Sequence, residues 1–119
     1  MVENKYCIKT ETLAAFAKAL GHPARIAIMK FLAKQDTCYF GDIHEELPIA
    51  KATVSQHLTV LKEVGLIQGE IEMPKVKYCI NRENWEYAQQ LFNEFFAQKL
   101  CEKKDGCCEY IRHTNLSSD

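Results

Sequence analysis

The spacing of apolar residues divides the chain into five helical patterns and one pair of strands. Thr10 opens a helix with Leu13, Phe16, Ala17 and Leu20 on one stripe, and Gly21 closes it. His22-Pro23 begins the next, with Pro23 at the first helical position, where its missing N–H is no loss. From Ala24 to Ala33 almost every residue except Arg25 and Lys30 is apolar, which marks a central helix. Gln35 to Cys38 is a connector. Phe40, Ile43, His44 and Leu47 then share one face of a short helix that ends at Pro48. Val54, Leu58 and Leu61 stand at i, i+4 and i+7, Val60 and Val64 widen that side, and Gly65 stops the helix. Leu66 to Glu72 and Val76 to Asn81 alternate partially through Ile67, Ile71, Val76, Tyr78 and Ile80. With Met73-Pro74-Lys75 as the turn, they read as a β-hairpin. Arg82 to Leu100 is the longest helix, with Trp85, Ala88, Leu91, Phe92, Phe95, Phe96 and Leu100 on a wide stripe.

Two short helices joined at Pro48 and followed by a hairpin predict a mainly α fold with a small β-hairpin, a winged helix-turn-helix. The second helix of the pair has an apolar back. Its other side holds Lys51, Thr53, Ser55, Gln56, His57, Thr59 and Lys62, rich in hydrogen-bond donors. Such a face suits the major groove of double-stranded DNA, where Gln56 can pair with adenine through two hydrogen bonds. Lys75 and Lys77 on the hairpin are placed to reach phosphates, which position without specifying sequence. A solvated amphipathic helix has the same periodicity; the preceding short helix favours the DNA reading.

The run TVSQHLTVLKEVGLI resembles the recognition helix of the ArsR/SmtB family of bacterial winged-helix repressors. Upstream, LAAFAKALGHPARIAIMKFL resembles that family's Leu-Gly-His-Pro-x-Arg segment leading into a buried helix. The resemblance spans about residues 10 to 100. Ala50 departs from it, standing where relatives often carry a capping Ser, a loss of about 1 kcal/mol. Glu70 and Glu72 depart too, on a wing that is richer in arginine in many relatives. The resemblance implies a homodimer on a palindromic operator, with the interface formed by the last helix and the Thr10 to Leu20 helix. The surplus of large aromatics in the last helix agrees, although the same stripe would also serve as intrachain core.

Length and composition set the frame. A chain of 119 residues, 47% hydrophobic, is one domain with a small core. Residues 1–9 read as a flexible arm, 10–100 as the DNA-binding and dimerisation domain, and 101–119 as a cysteine-containing tail. No apolar run is long enough to span a membrane and no secretory leader is visible, so a cytoplasmic protein is expected. A net charge of −1 argues against a nucleic-acid binder, but the charge is uneven. Residues 1–82 hold eleven Lys/Arg against nine Asp/Glu, and residues 83–119 hold four against seven. The reading half is slightly basic, and a dimer doubles it. No P-loop, nucleophile elbow, His-Glu-x-x-His or paired-carboxylate motif is present, so no enzyme and no required cofactor are expected.

The six cysteines carry the remaining chemistry. They form neither a zinc-finger spacing nor a secreted disulfide scaffold. Family sensors often place Cys-x-Cys before an Asp-Leu; here Asp42-Ile43 is preceded by Tyr39 and Gly41, and Cys38 lies one residue off. A second family site, Asp and His on the last helix, meets Asn84 and Glu86 instead, with no histidine on that helix. What remains is LCEKKDGCCEY. Gly106 can turn Cys107 and Cys108 back towards Cys101, and three thiolates suit a pyramidal soft ion such as trivalent arsenic or antimony. Lys103 and Lys104 favour the thiolates. Cys7 is a candidate further ligand from the other subunit, Cys79 reads as core, and His22 and His44 as capping or packing residues. The expected function is a DNA-binding repressor released by such an inducer. Two alternatives stay open: a thiol-redox switch through a tail disulfide, and a winged helix that binds protein.

Overall fold

A computed structural model describes residues 6–72 and 75–101, apart from the side chains of residues 70–76. The order is α1 (Ile8–Ala19), α2 (Pro23–Ala33), β1 (Tyr39–Phe40), α3 (Ile43–Glu46), α4 (Lys51–Glu63), β2 (Ile67–Glu72), β3 (Lys75–Ile80) and α5 (Arg82–Phe96). Helices α3 and α4 are the helix-turn-helix, and β2 and β3 are the wing. The architecture is the mainly helical winged helix that the apolar spacing predicts.

Several boundaries differ from the expectation. The segment at Tyr39–Phe40 is a strand rather than the start of a helix. It pairs antiparallel with β3, Tyr39 opposite Tyr78 and Phe40 opposite Lys77, giving a three-stranded sheet in the order β1-β3-β2. Two adjacent aromatics favour extended backbone, and Tyr39 packs edge-on against Phe31 of α2 with ring centroids 4.9 Å apart. What is left for α3 is one turn. Helix α1 begins two residues before Thr10, with Cys7 as its N-cap. Helix α5 ends at Phe96, short of Leu100, where the Gln98 side-chain amide donates to the Phe95 carbonyl at 3.1 Å. Of the expected turn Met73-Pro74-Lys75, Met73 and Pro74 lie outside the described residues and Lys75 is already the first residue of β3.

The core is one cluster. Ile28, Ile43, Leu58, Leu61 and Leu66 are its largest fully buried side chains, and α2 sits at its centre through Ile28, Met29 and Leu32. Burial of each such side chain contributes about 1.5–3 kcal/mol. Helix α1 adds Phe16 and Ala19, and α5 adds Ala88 and Leu91. The two helices meet through Phe16 and Tyr87, edge to face at 6.3 Å, and through a surface ion pair from Lys9 to Glu94 at 3.5 Å. The apolar stripe of α5 is therefore split. Its first half enters the core, while Phe95 and Phe96 stay 49% and 75% exposed and Leu100 beyond them 87%. No described helix is long and apolar enough to cross a membrane.

Candidate nucleic-acid interface

Helix α4 has two distinct faces. Val54, His57, Leu58 and Leu61, at i, i+3, i+4 and i+7, are buried. Lys51, Ser55, Thr59 and Lys62, at i, i+4, i+8 and i+11, form an exposed stripe, with Gln56 beside it and also exposed. Thr53 lies between the faces, half-buried, and its hydroxyl donates to the Ala50 carbonyl at 3.0 Å. That bond falls on the first turn, where Ala50 supplies no side-chain cap. The exposed stripe combines two ammonium groups, two hydroxyls and one primary amide, a set able to bond phosphates and base edges.

His57 does not belong to that stripe. It is 9% exposed and turned into the molecule. Its Nδ1 lies 3.2 Å from Nη1 of Arg25, and its ring centroid 4.5 Å from that of His22. A guanidinium only donates, so Nδ1 accepts and the ring proton of neutral His57 sits on Nε2. Burial first, then the charges of His22 and Arg25, pushes the His57 pKa below its ordinary value. The spacing from Val54 already placed residue 57 on the buried side; its polarity drew it to the wrong face.

The Leu-Gly-His-Pro-x-Arg segment has a physical role in this arrangement. His22 caps α2, its Nδ1 accepting from the Ala24 N–H at 3.0 Å, and Pro23 takes the first helical position. Arg25, one turn on, donates through Nε to the Ala19 carbonyl at the end of α1. The same guanidinium reaches His57. Three helices are thus registered by one side chain.

The far end of α4 is fixed just as tightly. Gly65 has a positive φ of 85°, its N–H bonds the Lys62 carbonyl at 2.9 Å, and the Leu66 N–H bonds the Leu61 carbonyl at 3.0 Å. This is the Schellman pattern. From α5, the Asn84 side-chain amide donates to the Gly65 carbonyl at 2.9 Å, while its backbone N–H bonds the Asn81 cap at 3.1 Å. Lys62, expected as a phosphate contact, donates to the Gly69 carbonyl of β2 at 2.9 Å and so ties α4 to the wing. Lys77 is exposed on β3, its ammonium 5.8 Å from the centre of the Phe40 ring. Lys75 opens β3 opposite Glu72; its side chain is outside the described set.

The cysteines fall in three places. Cys38 and Cys79 are joined in a disulfide, with Cα atoms 4.4 Å apart. The sequence reading places Cys79 in the core and Cys38 one residue off the family's Cys-x-Cys positions, and does not pair them. They are 41 residues apart, and nothing in their spacing announces the pairing of β1 with β3 that joins them. Cys7 is exposed at the start of α1, with its Sγ 3.4 Å from Oγ1 of Thr10. That side-chain bond, then the Thr10 backbone N–H, lowers its thiol pKa. Cys101 is exposed beyond α5, and Cys107 and Cys108 lie outside the described residues. Among the described residues no three His, Cys, Asp or Glu side chains cluster as metal ligands.

Residues 22–68 match the family model of the bacterial regulatory proteins of the arsR family. Over 64 residues the chain is 36% identical to an uncharacterised HTH-type transcriptional regulator of Methanocaldococcus jannaschii, covering 54% of this chain and 72% of that one. Among solved structures, an ArsR-like transcriptional regulator from Rhodococcus superposes with a TM-score of 0.60 at 19% identity, over 74% of this chain and 82% of that one. The cadmium sensor CMTR of Mycobacterium tuberculosis gives 0.50 at 27% identity, over 84% and 99%. A homodimeric winged helix-turn-helix DNA-binding domain of Mycobacterium bovis gives 0.54 at 20%, over 96% and 100%. The matched segment runs from the His22 cap through α4 into the wing, the same elements that present the exposed donor stripe. With that stripe and its scaffold in place, the chain belongs to the ArsR family of winged helix-turn-helix transcriptional regulators, which are DNA-binding proteins and not enzymes.

Proposed function

We propose that the protein is a homodimeric repressor that binds a palindromic operator and leaves it when a thiol-binding inducer is taken up. The observation that carries the DNA contact is the split of α4 into a buried face and an exposed donor stripe. Lys51, Ser55, Gln56 and Thr59 are the reading set, with Thr53 at its edge. Lys77 and Lys75 approach phosphates from the wing, and Lys62 sets the angle between wing and helix. His57 is left out because it faces Arg25. The homodimer draws on the exposed apolar end of the molecule, Phe95, Phe96 and Leu100 together with Ile8, 73% exposed at the start of α1. The Mycobacterium bovis domain of the same fold is a homodimer. The operator half-sites then follow the two-fold axis.

For the inducer, three thiolates from Cys101, Cys107 and Cys108 suit trivalent arsenic or antimony. Cys7 supports a site at this end of the fold. The Lys9–Glu94 ion pair holds the start of α1 beside the last turns of α5, from which Cys101 and the tail depart, and the Cys7 thiol is acidified. The similar fold of CMTR, a cadmium sensor, supports a soft ion as the signal. The test is a mobility shift on DNA upstream of the protein's own gene, reduced, with and without arsenite. Binding lost with arsenite, and kept in a Cys101→Ser, Cys107→Ser, Cys108→Ser variant, is the expected result. Release from that triple variant by arsenite removes the site. Binding indifferent to arsenite removes the metalloid and leaves redox control of the tail. Absence of binding at low salt turns the reading towards a protein-binding winged helix.

A further inference from the structure

We propose that Cys38 and Cys79 are a redox-modifiable pair whose disulfide clamps the wing to the helix-turn-helix and so sets DNA affinity. The proposal rests on the DNA-binding reading above. The register of β1 against β3 places Tyr39 opposite Tyr78 and Phe40 opposite Lys77. One step back along the same ladder, Cys38 faces Cys79, so the bond is a third rung on a strand that otherwise has two.

Its position matters more than its presence. Between the two cysteines lie α3, the whole of α4, β2 and the start of β3. Every element assigned to DNA contact is inside the closed loop. Strand β1 is at the sheet edge, and two residues beyond it Asp42 begins the turn into α3. The sulfur bridge therefore links the strand carrying Lys75 and Lys77 to the entrance of the helix pair. The same parts share the buried core, where Ile67 and Tyr78 of the sheet join Ile43, Leu58 and Leu61 of the helix pair, but the side-chain ties outside that core are exposed: the Lys77 contact with the Phe40 ring and the Lys62 bond to Gly69. Opening the bridge leaves β1 with two rungs at an edge, where strands are readily lost.

The pair is also reachable. Both cysteines are half-buried and line an open cleft of about 550 Å³ together with Asp36, Gln68 and Arg82. In a reduced cytoplasm a disulfide is seldom a permanent staple and more often a transient, sensing one. For closure, two thiols give two electrons and two protons to a small-molecule disulfide, RSSR. One thiolate attacks it, a mixed disulfide forms and releases RSH, and the second cysteine displaces the other RSH as the Sγ–Sγ bond forms. A small thiol reverses the same steps. The closed form has wing and recognition helix fixed together before DNA arrives and binds more tightly, because less order is lost on docking.

The experiment uses the full chain with Cys7, Cys101, Cys107 and Cys108 changed to Ser, so that the pair is the sole thiol chemistry. DNA affinity is measured on the same fragment after oxidation with glutathione disulfide and after reduction with dithiothreitol. Backbone hydrogen exchange is followed in both forms. At least fivefold tighter binding in the oxidised form is expected, with Tyr39 and Phe40 amides exchanging more slowly. A Cys38→Ser, Cys79→Ser chain should match the reduced form and ignore oxidant. Equal affinity in both forms overturns the proposal, as does equal exchange at β1. If neither form binds DNA, the DNA-binding reading has failed, and slower exchange at β1 and α3 on oxidation still supports the clamp.

Discussion

Replacing Gly65 by Ala tests the joint between the recognition helix and α5. Two separate effects meet at this residue. The first is conformational. With φ at 85°, Gly65 sits in the left-handed region, and a Cβ there costs roughly 1–2 kcal/mol. The second is a collision. A Cβ on Gly65 would lie 2.6 Å from Nδ2 of Asn84, the atom that donates to the Gly65 carbonyl. Asn84 has to withdraw, and its hydrogen bond, worth about 0.5–1.5 kcal/mol, goes with it. The expected loss for Gly65→Ala is therefore about 2–3 kcal/mol, a fall in Tm on the order of 10–20 °C for a domain of this size. Asn84→Ala alone removes the bond and leaves the Asn81 cap intact, because that cap accepts from the Asn84 backbone N–H. The assay is urea denaturation of the two single variants and the double variant at one protein concentration, which holds any effect of association on stability constant. If the reasoning holds, Gly65→Ala costs about 1 kcal/mol less when Asn84 is already Ala. Equal cost in both backgrounds would refute the contact, and a silent Gly65→Ala would refute the left-handed turn as well.

Two further predictions concern the interior of α4 and the end of α5. His57 has a folded pKa below its unfolded one, so its stabilising contribution is complete above the unfolded value and is lost as pH falls through the folded value. The urea midpoint should drop on going from pH 7.5 to 5.5, and His57→Gln should flatten that dependence; an unchanged slope would place the titration elsewhere. Changing Phe95 and Phe96 together to Ser should give a sedimenting mass near 13.7 kDa in place of twice that value, with the far-ultraviolet spectrum retained. A dimer that persists in this variant would move the interface off the exposed end of α5.

Much of the fold was legible because it rests on local chemistry. The 3.6-residue recurrence of Val54, Leu58 and Leu61 finds α4, Pro23 and Gly65 mark where helices begin and end, and the choice of capping or packing for His22 resolves to capping. The misses came from contacts distant in the chain. Tyr39–Phe40 becomes a strand because β3 offers it a partner nearly forty residues on, and the apolar period around Phe40 fits one helical turn equally well. The Cys38–Cys79 bridge depends on that same pairing. At the interface, residue type and face gave opposite answers for His57, and geometry decided for the face. Lys62 kept its exposure but found a carbonyl partner in the wing, which a helical projection does not contain.

Besides its buried face, the recognition helix makes three polar contacts among the described residues, each to a different element, and these bear on how the proposed inducer site would act on DNA binding. Arg25 of α2 grips it through His57, the wing through Lys62 and Gly69, and α5 through Asn84 and Gly65. Among these, the Asn84 contact alone belongs to the helix from which the cysteine tail departs. An inducer acts only through unequal affinity for two states, and a hundredfold loss of DNA binding requires about 2.8 kcal/mol. One hydrogen bond of this kind supplies about 0.5–1.5 kcal/mol. A single protomer falls short, whereas a symmetric dimer breaks the bond twice, for about 1–3 kcal/mol in total. The joint is therefore strong enough for regulation only if both protomers switch together. For the proposed site, linkage then requires the reverse effect as well: operator DNA would weaken inducer binding at the tail thiols by the same factor by which the inducer weakens binding to DNA.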